Sequence, residues 1–324
     1  MDPLIERVLH GEKPALARVI SRIENRDPEA AVLLHQLFPH QRFVPRIGIT
    51  GPPGAGKSTL VAQVVRGLRA RDLKVGVVAV DPTSPFSGGA VLGDRVRMAE
   101  VALDPGVFIR SMATRGSLGG LAATSREVCE ALDAFGAERI LLETVGVGQS
   151  ELDVAGAADT TVVVVVPESG DSIQALKAGL MEIADVFVVN KADRDGADRL
   201  VSDIEGALSM RDWQGRWKPP VLKTVALRGE GVDELRGALD RHWAWLNQTG
   251  VLGTRHREAV RARILELVRE AVTRAVLERA PQHELDGLVD AVVAGSQSPY
   301  RAAERWAVEL LKQAGGGRPP AGGA

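Results

Sequence analysis

The chain has 324 residues, 45% of them hydrophobic and 25% charged, a composition with room for one large globular domain plus accessory elements. Its 40 Lys and Arg against 42 Asp and Glu leave a formal charge of −2, so no bulk field draws it to nucleic acid or to an anionic membrane. The longest apolar stretch, residues 161–167, is far short of a membrane span, and no basic-then-apolar leader follows Met1, so the chain is expected to be cytoplasmic, with no nucleic-acid or membrane partner.

From Asp2 to about His40, Leu4, Val8, Leu16, Val19, Ile20 and Ile23 recur at intervals that predict short amphipathic helices, an N-terminal extension over residues 1–42. Across 43–250 strands alternate with helices. Strands are predicted at 46–50, 74–81, 106–110, 139–144, 160–167, 185–190 and 221–226. Helices are predicted at 57–70, 120–135, 173–183, 197–210 and 232–246. The run Val162 to Val166 is apolar on both faces, as a central strand of a helix-covered parallel sheet must be. The fold class read from this order is α/β, a doubly wound, mostly parallel sheet, with ligand groups gathered at the carboxyl ends of the strands. The lone Cys129 excludes an intrachain disulfide and reads as a core residue, and no paired Cys or His suggests structural zinc.

Over 251–314 the pattern changes to long Arg- and Glu-rich helices. Val260, Ile264, Leu267, Ala271 and Ala275 make a narrow seam close to a heptad stripe. A second segment carries Leu285, Leu288 and Val292. A third opens at Ser298-Pro299, a cap followed by a first-turn proline, with Ala303, Trp306 and Leu310 read as one face. Three appended helices predict a dimerisation arm, and hence a homodimer, in preference to helices folded back on their own core. The Gly- and Pro-rich tail, 315–324, is expected to be disordered.

Between the first predicted strand and the helix at 57 stands Gly51-Pro52-Pro53-Gly54-Ala55-Gly56-Lys57-Ser58-Thr59. This is the GxxxxGK[ST] pattern in its strand-to-helix setting. Glycines let successive backbone N–H groups turn toward one point, and Lys57 with the helix N-terminus adds positive charge where β- and γ-phosphates would lie. Ser58 is the candidate Mg²⁺ ligand. Asn190-Lys191-Ala192-Asp193 ends a later strand, where a base should sit. A carboxylate at Asp193 accepts from N1–H and the 2-amino group of guanine, whereas adenine offers neither, so the expected nucleotide is GTP or GDP. Lys191 would lie along the base and Asn190 would tie the loops together. Val225, Ala226 and Leu227 are candidates to offer a backbone N–H to guanine O6.

Asp81 and Glu143 end two strands and should point at the phosphate loop; with Ser58 and the loop acid Asp94 they are the candidate metal ligands, in keeping with the preference of Mg²⁺ for oxygen. Gly146, in Glu143-Thr144-Val145-Gly146, is placed to offer an N–H to the γ-phosphate. Lys57, Glu143, Asp94 and Gln149 are the candidate catalytic residues, with Gln149 a candidate to orient water. Arg95, Arg97, Arg110 and Arg115 are each candidates to neutralise charge on the phosphates, and the sequence does not choose among them.

Val80-Asp81-Pro82-Thr83-Ser84, the segment Gly88 to Arg95, Gly116-Ser117-Leu118-Gly119-Gly120, the string Glu143 to Glu151 and Asn190-Lys191-Ala192-Asp193 together resemble the MeaB/ArgK branch of SIMIBI-class P-loop GTPases. The resemblance covers roughly residues 1 to 312. It implies a chaperone for an adenosylcobalamin-dependent acyl-CoA mutase such as methylmalonyl-CoA mutase, in which GTP hydrolysis gates cofactor loading and protects or reactivates the mutase. It also implies an adenosyltransferase as a further partner, a homodimer built through the C-terminal helices, and no direct binding of cobalamin by this chain. The segment 168–177 resembles the family's third switch, where Lys177 keeps the expected charge and Ala178 stands where many relatives carry a lysine. Two other functions compete: a metallochaperone GTPase for nickel or another metal, disfavoured by the lack of Cys or His near the switches, and a small-molecule kinase, disfavoured by the lack of an acceptor-binding domain.

Overall fold

Alternation of side chains along each strand sorts the core into two faces. The computed structural model describes residues 1–81, 98–113, 120–144, 150–167, 179–277 and 282–315. Its strands are β1 (Arg46–Thr50), β2 (Val75–Asp81), β3 (Val107–Ala113), β4 (Arg139–Thr144), β5 (Thr160–Val165), β6 (Val186–Asn190) and β7 (Val221–Thr224). Among the described residues they form one sheet in the order β3-β2-β4-β1-β5-β6-β7, with every neighbouring pair parallel. All carboxyl ends therefore lie along one edge.

The helices are α1 (Pro3–Leu9), α2 (Lys13–Glu24), α3 (Ala30–Leu37), α4 (Lys57–Arg69), α5 (Gly120–Phe135), α6 (Ser150–Ala157), α7 (Ala197–Ser209), α8 (Val232–Gln248), α9 (Val251–Leu277), α10 (Gln282–Val293) and α11 (Pro299–Gly315), with single turns at Ala99–Ala102 and Met181–Ile183. No helix among the described residues is long and apolar enough to cross a membrane.

On one face Val75 and Val77, Leu141, Val162 and Val164 pack against Leu60, Val61, Val64 and Val65 of α4 and Leu235, Ala238 and Leu239 of α8. On the other, Val78, Val80, Ile140 and Leu142 pack with Val128, Cys129 and Leu132 of α5 and with Ile5, Leu16, Val19, Ile20 and Leu33 of the N-terminal helices. Those helices are thus built into the same core as the sheet. Val163, Val165, Phe187 and Val189 pack on Leu200, Ile204 and Leu208 of α7. Helix α6 has no counterpart in the sequence pattern; its Val154 and Ala157 are buried, and Gly48 leaves room for Val154, since a Cβ there would stand 2.8 Å from Val154 Cγ1.

Asp133 on α5 joins the N-terminal helices to β1. It is fully buried, and its carboxylate accepts from the backbone N–H of Arg42 at 2.9 Å, Phe43 at 2.8 Å and Val44 at 3.3 Å. Asp133→Ala leaves three backbone donors without their acceptor, so chemical denaturation should show a loss of about 2–4 kcal/mol, with Asp133→Asn intermediate. Equal midpoints for all three proteins would contradict this role.

Cys129 sits among Val128, Ala131 and Leu132 with no exposure, and burial pushes its thiol up to about 12. The native thiol should therefore stay unreacted with a disulfide reagent at pH 8 and react fully once urea unfolds the chain. Since the folded pKa is raised, this group's contribution is intact below the unfolded value of 9.0 and is lost as pH climbs from there toward about 12. Rapid labelling of the folded protein would count against the packing.

Contacts divide the chain after Gly253 into two compact units. In the second, Ala302, Trp306 and Leu310 share the inward face of α11, and Ala302 and Leu310 are buried. Ala303, expected on that face, is exposed, because a repeat of four from Leu310 through Trp306 falls on 302. Val260, Ile264 and Leu267 of α9 are exposed, as are Leu265, Val268 and Val272. The expected disordered tail lies beyond Gly315, outside the described residues.

Candidate functional site

The carboxyl edge of the sheet carries the loops that matter. The chain leaves β1 at Thr50, whose hydroxyl lies 3.1 Å from that of Thr144 at the end of β4, so the two central strand ends are tied side by side. Gly51 follows with φ +138°, and a Cβ there would stand 2.0 Å from Val164 O on β5, so the loop hugs the neighbouring strand in a way open to glycine alone. Gly56, at φ +86°, opens α4, and a Cβ there would collide with Asn190 Nδ2 at 2.4 Å. Lys57 is buried, and its ammonium donates to Gly51 O at 2.8 Å and Pro52 O at 3.0 Å, curling the loop around a fixed cation. A 13-residue helix adds the positive end of its dipole at the same point.

Ser58, next on α4, donates from Oγ to Glu143 Oε1 at 2.5 Å, and both side chains are buried. A hydroxyl and a carboxylate held together beside the phosphate loop form an oxygen donor pair of the kind that suits Mg²⁺. Asp81 closes β2, the strand beside β4 in the sheet. Arg110, one of four candidate arginines, is committed elsewhere: it pairs with Glu24 and donates to Ser21 Oγ at 3.0 Å. Arg95, Arg97 and Arg115 lie outside the described residues, as do Asp94, Gly146, Gln149 and the segment 168–178.

Asn190 joins three loops. Its Nδ2 donates to Ala55 O in the phosphate loop at 2.8 Å, while Oδ1 accepts from Thr224 Oγ1 at 3.0 Å and from the Ala226 N–H at 3.1 Å. Lys191 turns the chain out of β6 at φ +55°, a conformation costing about 1–3 kcal/mol in a non-glycine residue. The turn lets Ala192 N–H reach Thr224 O at 3.0 Å. Asp193 is left half-exposed at the mouth, its Oδ2 3.3 Å from Arg228 Nη1. Of the three backbone donors expected to meet a base carbonyl, Val225's is spent on Glu230 O at 3.1 Å and Ala226's on Asn190 Oδ1, and Leu227's remains a candidate.

The family described as "Methylmalonyl Co-A mutase-associated GTPase MeaB" matches residues 16–281, a span that takes in the phosphate loop, Glu143 and the Asn190 to Asp193 turn. The chain belongs to the MeaB family. A putative GTPase of Pyrococcus horikoshii is 45% identical over 307 residues, covering 94% of this chain and 96% of its own. The mouse protein named "Methylmalonic aciduria type A homolog, mitochondrial" is 33% identical over 323 residues, covering 94% of this chain and 78% of its own. The crystal structure described as LAO/AO transport system kinase superposes with a TM-score of 0.70 at 28% identity, covering 95% of this chain and 96% of that one. This MeaB-family chain is a GTPase built on a P-loop fold, and guanine nucleotide is its ligand.

Two residues of the site have no signal in the motif pattern. Thr224, reading as an ordinary strand-end threonine, is buried and holds Asn190 from the side. Arg228 reads as a surface arginine, and only the fold sets it against Asp193, 35 residues away.

Proposed function

We propose that this MeaB-family GTPase acts as a nucleotide-dependent chaperone of an adenosylcobalamin-dependent acyl-CoA mutase, its hydrolysis step timing cofactor loading and protection of the mutase. The observation that carries the reading is the match, over residues 16–281, to a family described as mutase-associated. The name of the mouse relative points the same way.

In this reading Lys57 and the backbone of Gly51 to Thr59 hold the phosphates, and Asn190, Lys191 and Asp193 hold guanine. Ser58 and Glu143 would hold Mg²⁺, with Asp81 and Asp94 as further candidates. When bound, the ion supplies charge neutralisation to the triphosphate. Glu143 is well placed to communicate the site's state, because it is buried on Ser58 at one end of β4 and leads directly into residues 145–149. A ligand that draws Ser58 away from Glu143 changes the anchor of that segment.

The same reading includes a homodimer formed through the C-terminal helices. Exposed Val260, Ile264, Leu267 and Val268 on α9 support it, since an isolated helix presenting such residues to water gains by covering them.

The test combines the purified chain with a cobalamin mutase and follows phosphate release from GTP and from ATP. Faster release from GTP in the presence of the mutase, with no phosphate on any small-molecule acceptor, is the expected result. A phosphorylated amino acid, or a rate indifferent to the mutase, would overturn the proposal. Light scattering coupled to gel filtration should give twice the chain mass, and Ile264→Glu with Val268→Glu should return it to one.

A further inference from the structure

Around the base-reading turn, the contacts made by Asn190 and Ala192 fix the backbones of the β6 and β7 loops but leave the Asp193 carboxylate unsupported by any of them. Its orientation depends on a separate, exposed chain of charges. Arg228 Nη1 lies 3.3 Å from Asp193 Oδ2, and the other edge of the same guanidinium is gripped by Glu230, with Nε donating to Oε1 at 2.6 Å and Nη2 to Oε2 at 3.4 Å. Glu230 is itself placed by the backbone, since its carbonyl accepts from Val225 N–H, and Arg228 N–H donates to Val225 O at 2.9 Å. A rigid planar fork held on one side by a carboxylate has its free corner aimed at one spot. That spot is Asp193 Oδ2.

We propose that Arg228, clamped by Glu230, is a positioning residue that sets the rotation of the Asp193 carboxylate and so sharpens selection of guanine over purines lacking the 2-amino group. This rests on the guanine-reading role proposed for Asp193. Reading guanine takes both carboxylate oxygens at once, one for N1–H and one for the 2-amino group, so both must lie in the plane of the base. Hypoxanthine has N1–H alone and needs one oxygen, which a rotated carboxylate still offers. A carboxylate oxygen has two lone-pair directions, so Oδ2 serves Arg228 and the base together. Losing the clamp therefore harms guanine more than hypoxanthine. Because the Asp193, Arg228 and Glu230 side chains are 41%, 53% and 58% exposed, the effect is modest, about two- to fivefold.

The experiment measures dissociation constants for GDP and IDP with the full chain, by calorimetry, for the wild type, Arg228→Ala, Arg228→Lys, Asp193→Asn and the Asp193→Asn/Arg228→Ala double variant. Wild type should prefer GDP. Arg228→Ala should narrow the GDP-to-IDP preference about two- to fivefold, chiefly by weakening GDP, and Arg228→Lys, a cation without the fork, should recover part of it. In the Asp193→Asn background the Arg228 substitution should leave the preference unchanged, as a residue acting through Asp193 must. A preference unaltered by Arg228→Ala, while Asp193→Asn abolishes it, overturns the proposal and leaves the guanine-reading role standing. A preference unaltered by Asp193→Asn overturns that role and the proposal with it.

Discussion

Lys57→Gln is expected to lower affinity for GTP by about two orders of magnitude while the protein melts within a few degrees of the wild type. The side chain is buried and its ammonium is fixed by Gly51 O and Pro52 O. Glutamine keeps an N–H donor for those carbonyls, which protects the loop, but brings no charge to the phosphates. A charge-assisted hydrogen bond contributes about 1.5–3 kcal/mol, and the unscreened cation at a helix N-terminus adds to it, so the loss falls near a hundredfold. Lys57→Ala should bind as poorly and melt lower, because the two carbonyls lose their donor. Titration with a fluorescent GTP analogue gives the affinities and calorimetric scanning the stabilities. Wild-type affinity in the glutamine variant would remove this loop from the nucleotide site.

Asp193→Asn should exchange one purine for another. Against guanine the new amide presents an N–H₂ group where the 2-amino group already donates, so a donor faces a donor and the base loses its second contact. Xanthine carries a carbonyl at that position. It accepts from the asparagine Nδ2 while N1–H donates to Oδ1, restoring two hydrogen bonds. A site built to pair a polar edge rejects the mismatched analogue strongly, so GTP affinity should fall by about two orders of magnitude and XTP should gain by a similar factor. The backbone frame should be undisturbed, since Asn190, Ala192 and Thr224 hold it without Asp193. Competition of GTP and XTP for the same fluorescent nucleotide reads both changes, and a variant that loses GTP without gaining XTP would point to a base seated elsewhere.

Much of the fold was legible because strand and helix periods here are clean. The run Thr160 to Val165 is β-branched throughout and buried throughout, and a helix starting at Lys57 is announced by the glycines before it. Legibility failed where neighbours outside the segment set the outcome. Helix α6 seats Val154 in the space over Gly48, which no local pattern encodes. Arg110 looks like any arginine near a strand end and is drawn to Glu24 on α2, 86 residues earlier in the chain.

The sequence by itself determined which groups the site has to offer: a glycine-rich loop with a lysine, a hydroxyl and strand-end carboxylates, and a turn that ends in an aspartate. These are properties of residue types at fixed local spacing, and such spacings survive translation into structure because strand and turn geometry is nearly invariant. The tertiary structure alone decided which of those groups meet. Ser58 reaches Glu143 across 85 residues, Asn190 reaches Ala55 across 135, and Arg228 reaches Asp193 across 35. Contacts of that separation are set by the order in which parallel strands pair and by side chains packing between layers, and no window of local sequence contains either.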